Sequence, residues 1–386
     1  MAKIGIYYSF PAGGIGRYNL EWLRALASPP THELEYVSLP ELAWDDSIPC
    51  AHWPGLFSIS SSFVPWRKAK FLIGQVLNPS RAIQHTARNG CQLIHFTDVN
   101  HLSYPLWKQQ LNHSGMKVVV TAHDVKRQVA VLNREYEDRQ LRAIYRRADA
   151  ILVHAEAQAQ ELMEFADVKR EQVHIVPHGP YSYGDPGRSR DEVRNGYGFA
   201  ADDVVGLCFG QLRDEKNLEG LIGALAENDS RSKLLVAGKA GSHHRGASDY
   251  AAIAKQAGVA NRVVFDERFI PDSEVADLVS ACDWIAVPYR RDFTSMSGVL
   301  NLACHYRKPV LCGEAPALAE AVRKHDIGKV VEKEGGLPEA LVRIEARLSS
   351  GSGAFNFEGF ASANTWEENA RLTERIYQRL LQGENE

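Results

Sequence analysis

Phe209-Gly210-Gln211-Leu212-Arg213-Asp214-Glu215-Lys216-Asn217-Leu218 places two cations where a strand hands over to a helix. Upstream, the apolar run 203–209 reads as a buried strand ended by Gly210. Downstream, Asn217 is positioned to cap a helix with apolar residues at Leu218, Leu221, Ile222 and Leu225. A helix that starts there presents free N–H groups and the positive end of its dipole to an anion in the loop. Arg213 offers a planar fork and Lys216 a mobile point charge, together enough to neutralise a diphosphate without a metal. A solvated charged loop has the same composition, so the segment alone leaves both readings open.

Outward from it, short apolar strands alternate with amphipathic helices along the chain, the pattern of parallel sheets wound with helices. Strands are expected at Ile4–Tyr8, Leu34–Leu39, Leu93–Phe96, Val118–Thr121, Ile151–His154 and Val173–Pro177. Helices are expected at Tyr18–Ala27, Arg134–Arg147 and Glu156–Phe165. A turn-rich stretch, Ser182-Tyr183-Gly184-Asp185-Pro186-Gly187-Arg188, reads as a linker. Strands then resume at Val204–Phe209, Lys233–Ala237, Val263–Phe265, Trp284–Val287 and Pro309–Cys312. At 386 residues, two domains of similar design are the natural expectation. Ligands of such sheets bind beyond the carboxyl ends of the strands, so the loops there hold the candidate residues.

Four such loops carry chemistry. Gly13-Gly14-Ile15-Gly16-Arg17 follows the first strand and lets backbone approach a ligand, but Asn19 stands where a dinucleotide fingerprint has its last glycine. Thr121-Ala122-His123-Asp124 ends a strand; His123 can bond a sugar hydroxyl or phosphate oxygen, and Asp124 can orient a ring or a loop. Val176-Pro177-His178-Gly179 is a functional loop or a structural turn. Pro288 to Leu300 joins a strand to a helix whose start, with Ser295, Ser297 and Gly298, forms a second anion nest beside Arg290 and Arg291. A capped helix under a basic loop is its bland equivalent.

Composition excludes several classes. The net charge of −4 gives no reason to expect nucleic acid as a partner. Cys50, Cys91, Cys208, Cys282, Cys304 and Cys312 form no CxxC pair and suit reduced thiols. No Asp-x-Asp and no ligand-spaced His/Cys/carboxylate cluster occurs, so neither a metal nor a separate cofactor is expected. Gly-x-Ser-x-Gly and the P-loop are absent, against a serine hydrolase and an NTPase. The N-terminal apolar stretch is short for a signal peptide, so a soluble, cytoplasmic protein is expected.

Assembled, these residues resemble the GT-B glycosyltransferases, and among them the retaining glycosyltransferase family 4. The likeness rests on Gly13–Gly16, Thr121–Asp124, Ala148–His154, Val176–Gly179, Phe209–Lys216, Ser297–Leu300 with Lys308-Pro309-Val310, and the Trp366 helix. It implies two Rossmann-like domains facing a central cleft: an acceptor domain at 1–182, a linker at 183–202, a donor domain at 203–362 and a helix at 363–386 crossing back to the first domain. It implies transfer of a sugar from a UDP- or GDP-linked donor to a carbohydrate or lipid-linked saccharide, as in polysaccharide or glycoconjugate biosynthesis. His123, Asp124, Arg213 and Lys216 would be catalytic. Gly14, Gly16, Gly210, Arg213, Lys216, Ser295, Ser297, Gly298, Val299 and Leu300 would hold the donor, and His178, Arg17 and Asp98 would touch acceptor or sugar. Two departures stand out. Gln211 occupies a position where the family usually has arginine, and Thr294 and Leu302 occupy those of a glutamate pair that commonly touches sugar and ribose.

The resemblance leaves alternatives open: a catalytically silent nucleotide-sugar binder, an epimerase of the same fold, and an oxidoreductase suggested by the glycine loop. Retention by front-face attack and inversion with Asp124 as general base also both remain. The stretch 52–72, with Trp53, Phe57, Phe63, Trp66, Arg67, Lys68 and Lys70, fits either a peripheral membrane contact or a helix packed on the first domain.

Overall fold

Valine- and isoleucine-rich runs such as Val118–Val120 and Ala150–Val153 are apolar on both alternating sides, which suits strands buried on both faces of a parallel sheet. In the computed structural model, which describes residues 1–10, 14–29, 31–127, 130–227, 230–241, 244–350 and 355–383, these runs assemble into two sheets. The first joins β1 (Lys3–Tyr7), β2 (Glu33–Val37), β3 (Ala51–Trp53), β4 (Leu93–Phe96), β5 (Lys117–Thr121), β6 (Ala150–Val153) and β7 (Val173–Ile175) in the order β3-β2-β1-β4-β5-β6-β7. The second joins β8 (Val204–Phe209), β9 (Ser232–Ala237), β10 (Val263–Asp266), β11 (Trp284–Val287), β12 (Val310–Cys312) and β13 (Gly328–Val330) in the order β10-β9-β8-β11-β12-β13. Every pairing is parallel. The strand order reverses between β1 and β4 in one sheet and between β8 and β11 in the other. These are the Rossmann-like switch points at which such sheets take ligands.

The chain divides into two units, Met1–Gly179 with Thr365–Glu386, and Pro180–Asn364. The terminal helix, Trp366–Gln382, thus packs within the first unit. Thr365 caps it, its Oγ1 accepting from the Glu368 N–H at 3.0 Å.

The segment 183–202 differs from its reading as a linker. It carries the helix Arg190–Gly196, whose capping box pairs Ser189 with Glu192. Val193 and Phe199 enter the apolar core of the second unit. Arg194, 1% exposed, bonds the Asp283 carboxylate at 2.6 Å and the carbonyls of Ala281, Ala200, Ala201 and Asp203. The Pro and Gly punctuation at 184–187 hid a short, anchored helix. Two strands, β3 and β13, also lie where no strand was expected. Both are three-residue edge strands, and in β13 glycine is required because a Cβ at Gly328 would stand 2.0 Å from the Val310 carbonyl oxygen.

Removing Arg194 takes the donor from four carbonyls, those of Ala281, Ala200, Ala201 and Asp203, and leaves the half-buried Asp283 carboxylate with Arg190 as its remaining cation. Arg194→Met is therefore expected to cost about 3 kcal/mol, read as a lowered denaturation midpoint with an unchanged m-value.

Candidate functional site

At the end of β8 the chain turns at Gly210, whose φ of +87° is a conformation that side chains rarely adopt. The next turn presses against it: a Cβ at Gly238 would lie 2.1 Å from the Gly210 carbonyl oxygen. Leu212 is buried and pairs with Ala240, which pins the loop and sends Gln211 and Arg213 outward. A single 3-10 turn, Asp214–Lys216, follows, and Asn217, in the left-handed region at φ 53°, leads into the helix Leu218–Ala226. The expected side-chain cap is not made. The Asn217 amide instead lies over Gly220, where a Cβ would come within 2.7 Å of it.

The two cations of this loop are held by neutral partners. The Lys216 ammonium, on a side chain only 6% exposed, folds back to donate to the Phe209 carbonyl at 2.5 Å. Arg213 donates through Nε and Nη2 to Oε1 of Gln211, at 3.2 and 3.0 Å. Gln211 thereby aims the fork of the arginine two residues on. Two other arginines of this unit are compensated by acids: Arg245 pairs with Asp214 and Glu219, and Arg268 with Asp266 and Glu274. Among the described residues, neither Arg213 nor Lys216 has a carboxylate within ion-pair reach.

The loop after β11 meets this loop directly, the Arg290 N–H donating to the Glu215 carbonyl at 3.2 Å. Tyr289 and Phe293 stack at 4.0 Å and stiffen it. Ser295 and Ser297 are buried, and Ser297 caps the helix Gly298–His305 through the Val299 N–H at 3.3 Å. The Leu300 N–H is taken by the Ser297 carbonyl, and the Leu300 side chain is in the core, so Leu300 offers a ligand neither group. Leu302, 3% exposed, is likewise a core residue.

In the first unit Gly13 lies outside the described residues. Gly14 and Gly16 belong to the first turn of the helix Gly14–Leu26 rather than to a loop. A Cβ at Gly16 would press on the Tyr8 hydroxyl at 3.2 Å. Asn19, in place of a third glycine, donates to Thr97 Oγ1 at 2.9 Å. Arg17 lies 4.0 Å from Glu21.

Beyond β5, His123 enters a histidine cluster. Its Nδ1 stands 3.2 Å from Nε2 of His154, and Nδ1 of His154 is 3.1 Å from the Val176 carbonyl. The Tyr18 ring packs against His123, His154, His178 and Trp366, with centroids 4.6 to 5.2 Å away. Asn369 donates to the Tyr18 hydroxyl at 2.9 Å and to the Pro177 carbonyl at 2.6 Å. His95 bridges Tyr377 and Thr121 at 2.6 and 2.8 Å. The structure therefore places His178 as a packed member of this cluster, its Nδ1 2.7 Å from the Gly179 carbonyl. Tyr18 and His154 join the site through packing alone and carry no local signal of it beyond the place of His154 at the end of the run 148–154. Among the described residues no group of His, Cys, Asp or Glu is arranged to hold a metal ion. Asp98 accepts from Arg127 at 2.6 Å, and Asp124 lies 4.0 Å from the same guanidinium, so one cation serves both carboxylates.

Burial holds the histidines neutral: it pushes the pKa of His154 down to about 4 and those of His178 and His95 to about 3. These folded values lie below the ordinary unfolded value, so the unfolded chain takes up protons first. Stability is full above about pH 6.5 and is lost as pH falls toward 4, by roughly 2 kcal/mol per histidine at pH 5. Denaturant titrations between pH 7 and 5 are expected to show this loss, and His154→Phe to show a shallower one.

Comparison with known proteins gives two matches along the chain. The family model described as Glycosyltransferase Family 4 matches residues 12–180, and that described as Glycosyl transferases group 1 matches residues 203–348. A D-inositol 3-phosphate glycosyltransferase of Actinosynnema mirum is 27% identical over 289 residues, 68% of this chain and 66% of that protein. One of Mycolicibacterium smegmatis is 27% identical over 218 residues, 53% of this chain and 48% of its own length. The match thus spans from about half to two thirds of these two relatives. Among solved structures, the sucrose-phosphate synthase of Thermosynechococcus elongatus superposes with a TM-score of 0.74 at 20% identity, covering 100% of both chains. Anabaena Alr3699/HepE, solved in complex with UDP, gives 0.70 at 17% identity over 99% of this chain and 100% of that one.

Proposed function

Because the chain belongs to the glycosyltransferases of family 4 and has the GT-B fold, we propose that it transfers a hexosyl group from a nucleoside-diphosphate sugar to a hydroxyl of a carbohydrate or lipid-linked saccharide. The observation that carries this reading is the pair of cations without acidic partners, Arg213 and Lys216, on a loop bonded to the helix-start loop 288–297 at the β8/β11 switch point. A UDP- or GDP-linked donor fits this chemistry, and the HepE neighbour solved with UDP-glucose supports the donor class.

Breaking the bond to the diphosphate builds positive charge at the anomeric carbon and negative charge on the leaving oxygen. Cations and N–H groups fixed at the phosphate stabilise that separated charge more than the ground state. Arg213 grips through its fork, held by Gln211. Lys216 need only exchange a neutral carbonyl for an anion, a stronger charge-assisted bond. Two cations suffice for a diphosphate, so the step proceeds without a metal. Retention follows if the leaving phosphate oxygen accepts the proton of the acceptor hydroxyl on the same face. The engagement of Asp98 and Asp124 by Arg127 supports this over a free carboxylate base.

Lys216→Ala is expected to lower kcat by about 10² to 10³-fold and, through the lost bond to the Phe209 carbonyl, stability by about 1 kcal/mol. Undiminished turnover would remove Lys216 from the reaction, and an inverted anomer in the product NMR spectrum would overturn retention. A second reading, nucleotide-sugar binding without transfer, is favoured by Thr294 and Leu302 at the positions of the family's glutamates, with Leu302 in the core. A panel of nucleotide-sugars decides between them. A ligand at about 100 times its Kd stabilises by roughly 2.7 kcal/mol, and stabilisation with neither transfer nor hydrolysis would select the second reading.

The acceptor is proposed to lie at an anionic membrane surface. Phe63, 59% exposed, precedes the helix Val64–Arg88, on which Trp66, 60% exposed, Leu72, Ile73, Val76 and Leu77 face solvent. Arg67 and Lys68 flank them, and no acidic residue occurs from Phe63 to Arg88. An exposed apolar stripe on a helix that carries basic and no acidic residues suits anionic headgroups. Replacing Arg67 and Lys68 by Gln is expected to weaken binding to phosphatidylserine vesicles about 30-fold, near 1 kcal/mol per charge. Failure of the parent protein to bind vesicles with or without anionic lipid would remove the membrane reading.

A further inference from the structure

The histidine cluster fixes where its protons sit. The Val176 carbonyl only accepts, so Nδ1 of His154, 3.1 Å away, carries a proton. His154 is neutral, which leaves a lone pair on its Nε2. Nδ1 of His123 lies 3.2 Å from that lone pair, and two lone pairs do not face each other at this distance, so Nδ1 of His123 donates. His123 is also neutral: burial, with the nearby His154, His178, His95 and Arg127, holds its pKa well below the ordinary value. Its Nε2 is therefore a bare acceptor. That atom is buried and, among the described residues, has no hydrogen-bond partner, an arrangement that costs free energy until something donates to it. The relay is rigid, because Gln158 accepts from the His154 N–H at 2.9 Å and donates to the His123 carbonyl at 3.0 Å. Tyr18 packs on both rings.

We propose that His154 is a positioning residue which locks His123 in its Nδ1–H tautomer, so that His123 Nε2 accepts a hydrogen bond from a hydroxyl of the transferred sugar. The inference rests on the reading of the chain as a glycosyltransferase in which His123 touches that sugar. It makes the site selective for neutral sugars: a carboxylate has no proton to give a bare acceptor, and a deoxy position leaves it unpaired.

Two measurements test it. In the ¹⁵N-histidine-labelled protein at pH 7, two-bond ¹⁵N–¹H correlation spectra are expected to show His123 protonated at Nδ1 and unprotonated at Nε2. In His154→Phe the Nε2–H form should appear, whereas His154→Gln, which keeps an acceptor, should restore the parent pattern. An Nε2–H signal for His123 in the parent overturns the proposal whether or not the protein transfers sugar. With a series of monodeoxy nucleotide-sugars, one position should lower kcat/KM by at least about tenfold in the parent, and that penalty should vanish in His154→Phe. A merely structural role for His154 would lower kcat/KM for all donors alike and keep the penalty, which also overturns it. Absence of transfer from every donor would refute the enzymatic reading while leaving the tautomer result to stand or fall by its spectrum.

Discussion

Parallel pairing is the constraint from which the rest follows. Parallel neighbours cannot be joined by a hairpin, so each connection crosses the sheet face, mostly as a helix, and every strand delivers its carboxyl end to the same edge. Residues far apart in sequence collect there without a design for each pair. In the second unit the constraint brings the loop after β8 against the loop after β11, joined by the Arg290 to Glu215 backbone bond. In the first it brings His95, His123, His154 and His178, from the ends of four successive strands β4 to β7 or the loops that follow them, into one cluster.

The two units treat charge in opposite ways. The second keeps cations and withholds acids: Arg245 and Arg268 are compensated, whereas Arg213 and Lys216 rest on an amide and a carbonyl. A neutral partner fixes geometry without spending the positive potential, so the field remains for an anion. At the ends of β4 to β7 the first removes charge, since burial keeps His95, His154 and His178 unprotonated and Arg127 absorbs Asp98 and Asp124.

What was legible in the sequence had a local cause. Apolar runs with β-branched residues fixed β5, β6, β8 and β11 to within a residue or two, because strands buried on both faces need no partner to be recognised. The edge strands β3 and β13 escaped, since His52 and Lys329 interrupt them and their pairing depends on β2 and β12. Asn217 suits the common capping role of asparagine but takes its other habit, the left-handed conformation. The glycines at 14 and 16 suit a loop because glycine is a weak helix former, yet both lie in a helix, with Gly16 packed close on Tyr8. Arg213 and Lys216 were visible as charges. Their lack of acidic partners was not, because compensation is a property of neighbours in space.

The histidine cluster also shows why the last helix belongs to the first unit. Pro177 and Asn369 are 192 positions apart, yet the Asn369 amide spans the Pro177 carbonyl and the Tyr18 hydroxyl. Tyr377 completes His95 in the same way. Closing so long a loop costs little more than closing a short one, because the entropy grows only with the logarithm of length, about 0.6 kcal/mol per doubling. Several buried hydrogen bonds, each worth about 1 kcal/mol, together with the Trp366 ring on Tyr18, offset that increment. The first unit can therefore accept a whole second unit, Pro180–Asn364, as an insertion before its final helix. The consequence is order of assembly: the rings around Tyr18 reach their final packing only once the residues after Thr365 are in place, so the polar geometry at the end of β5 is completed by the last part of the chain.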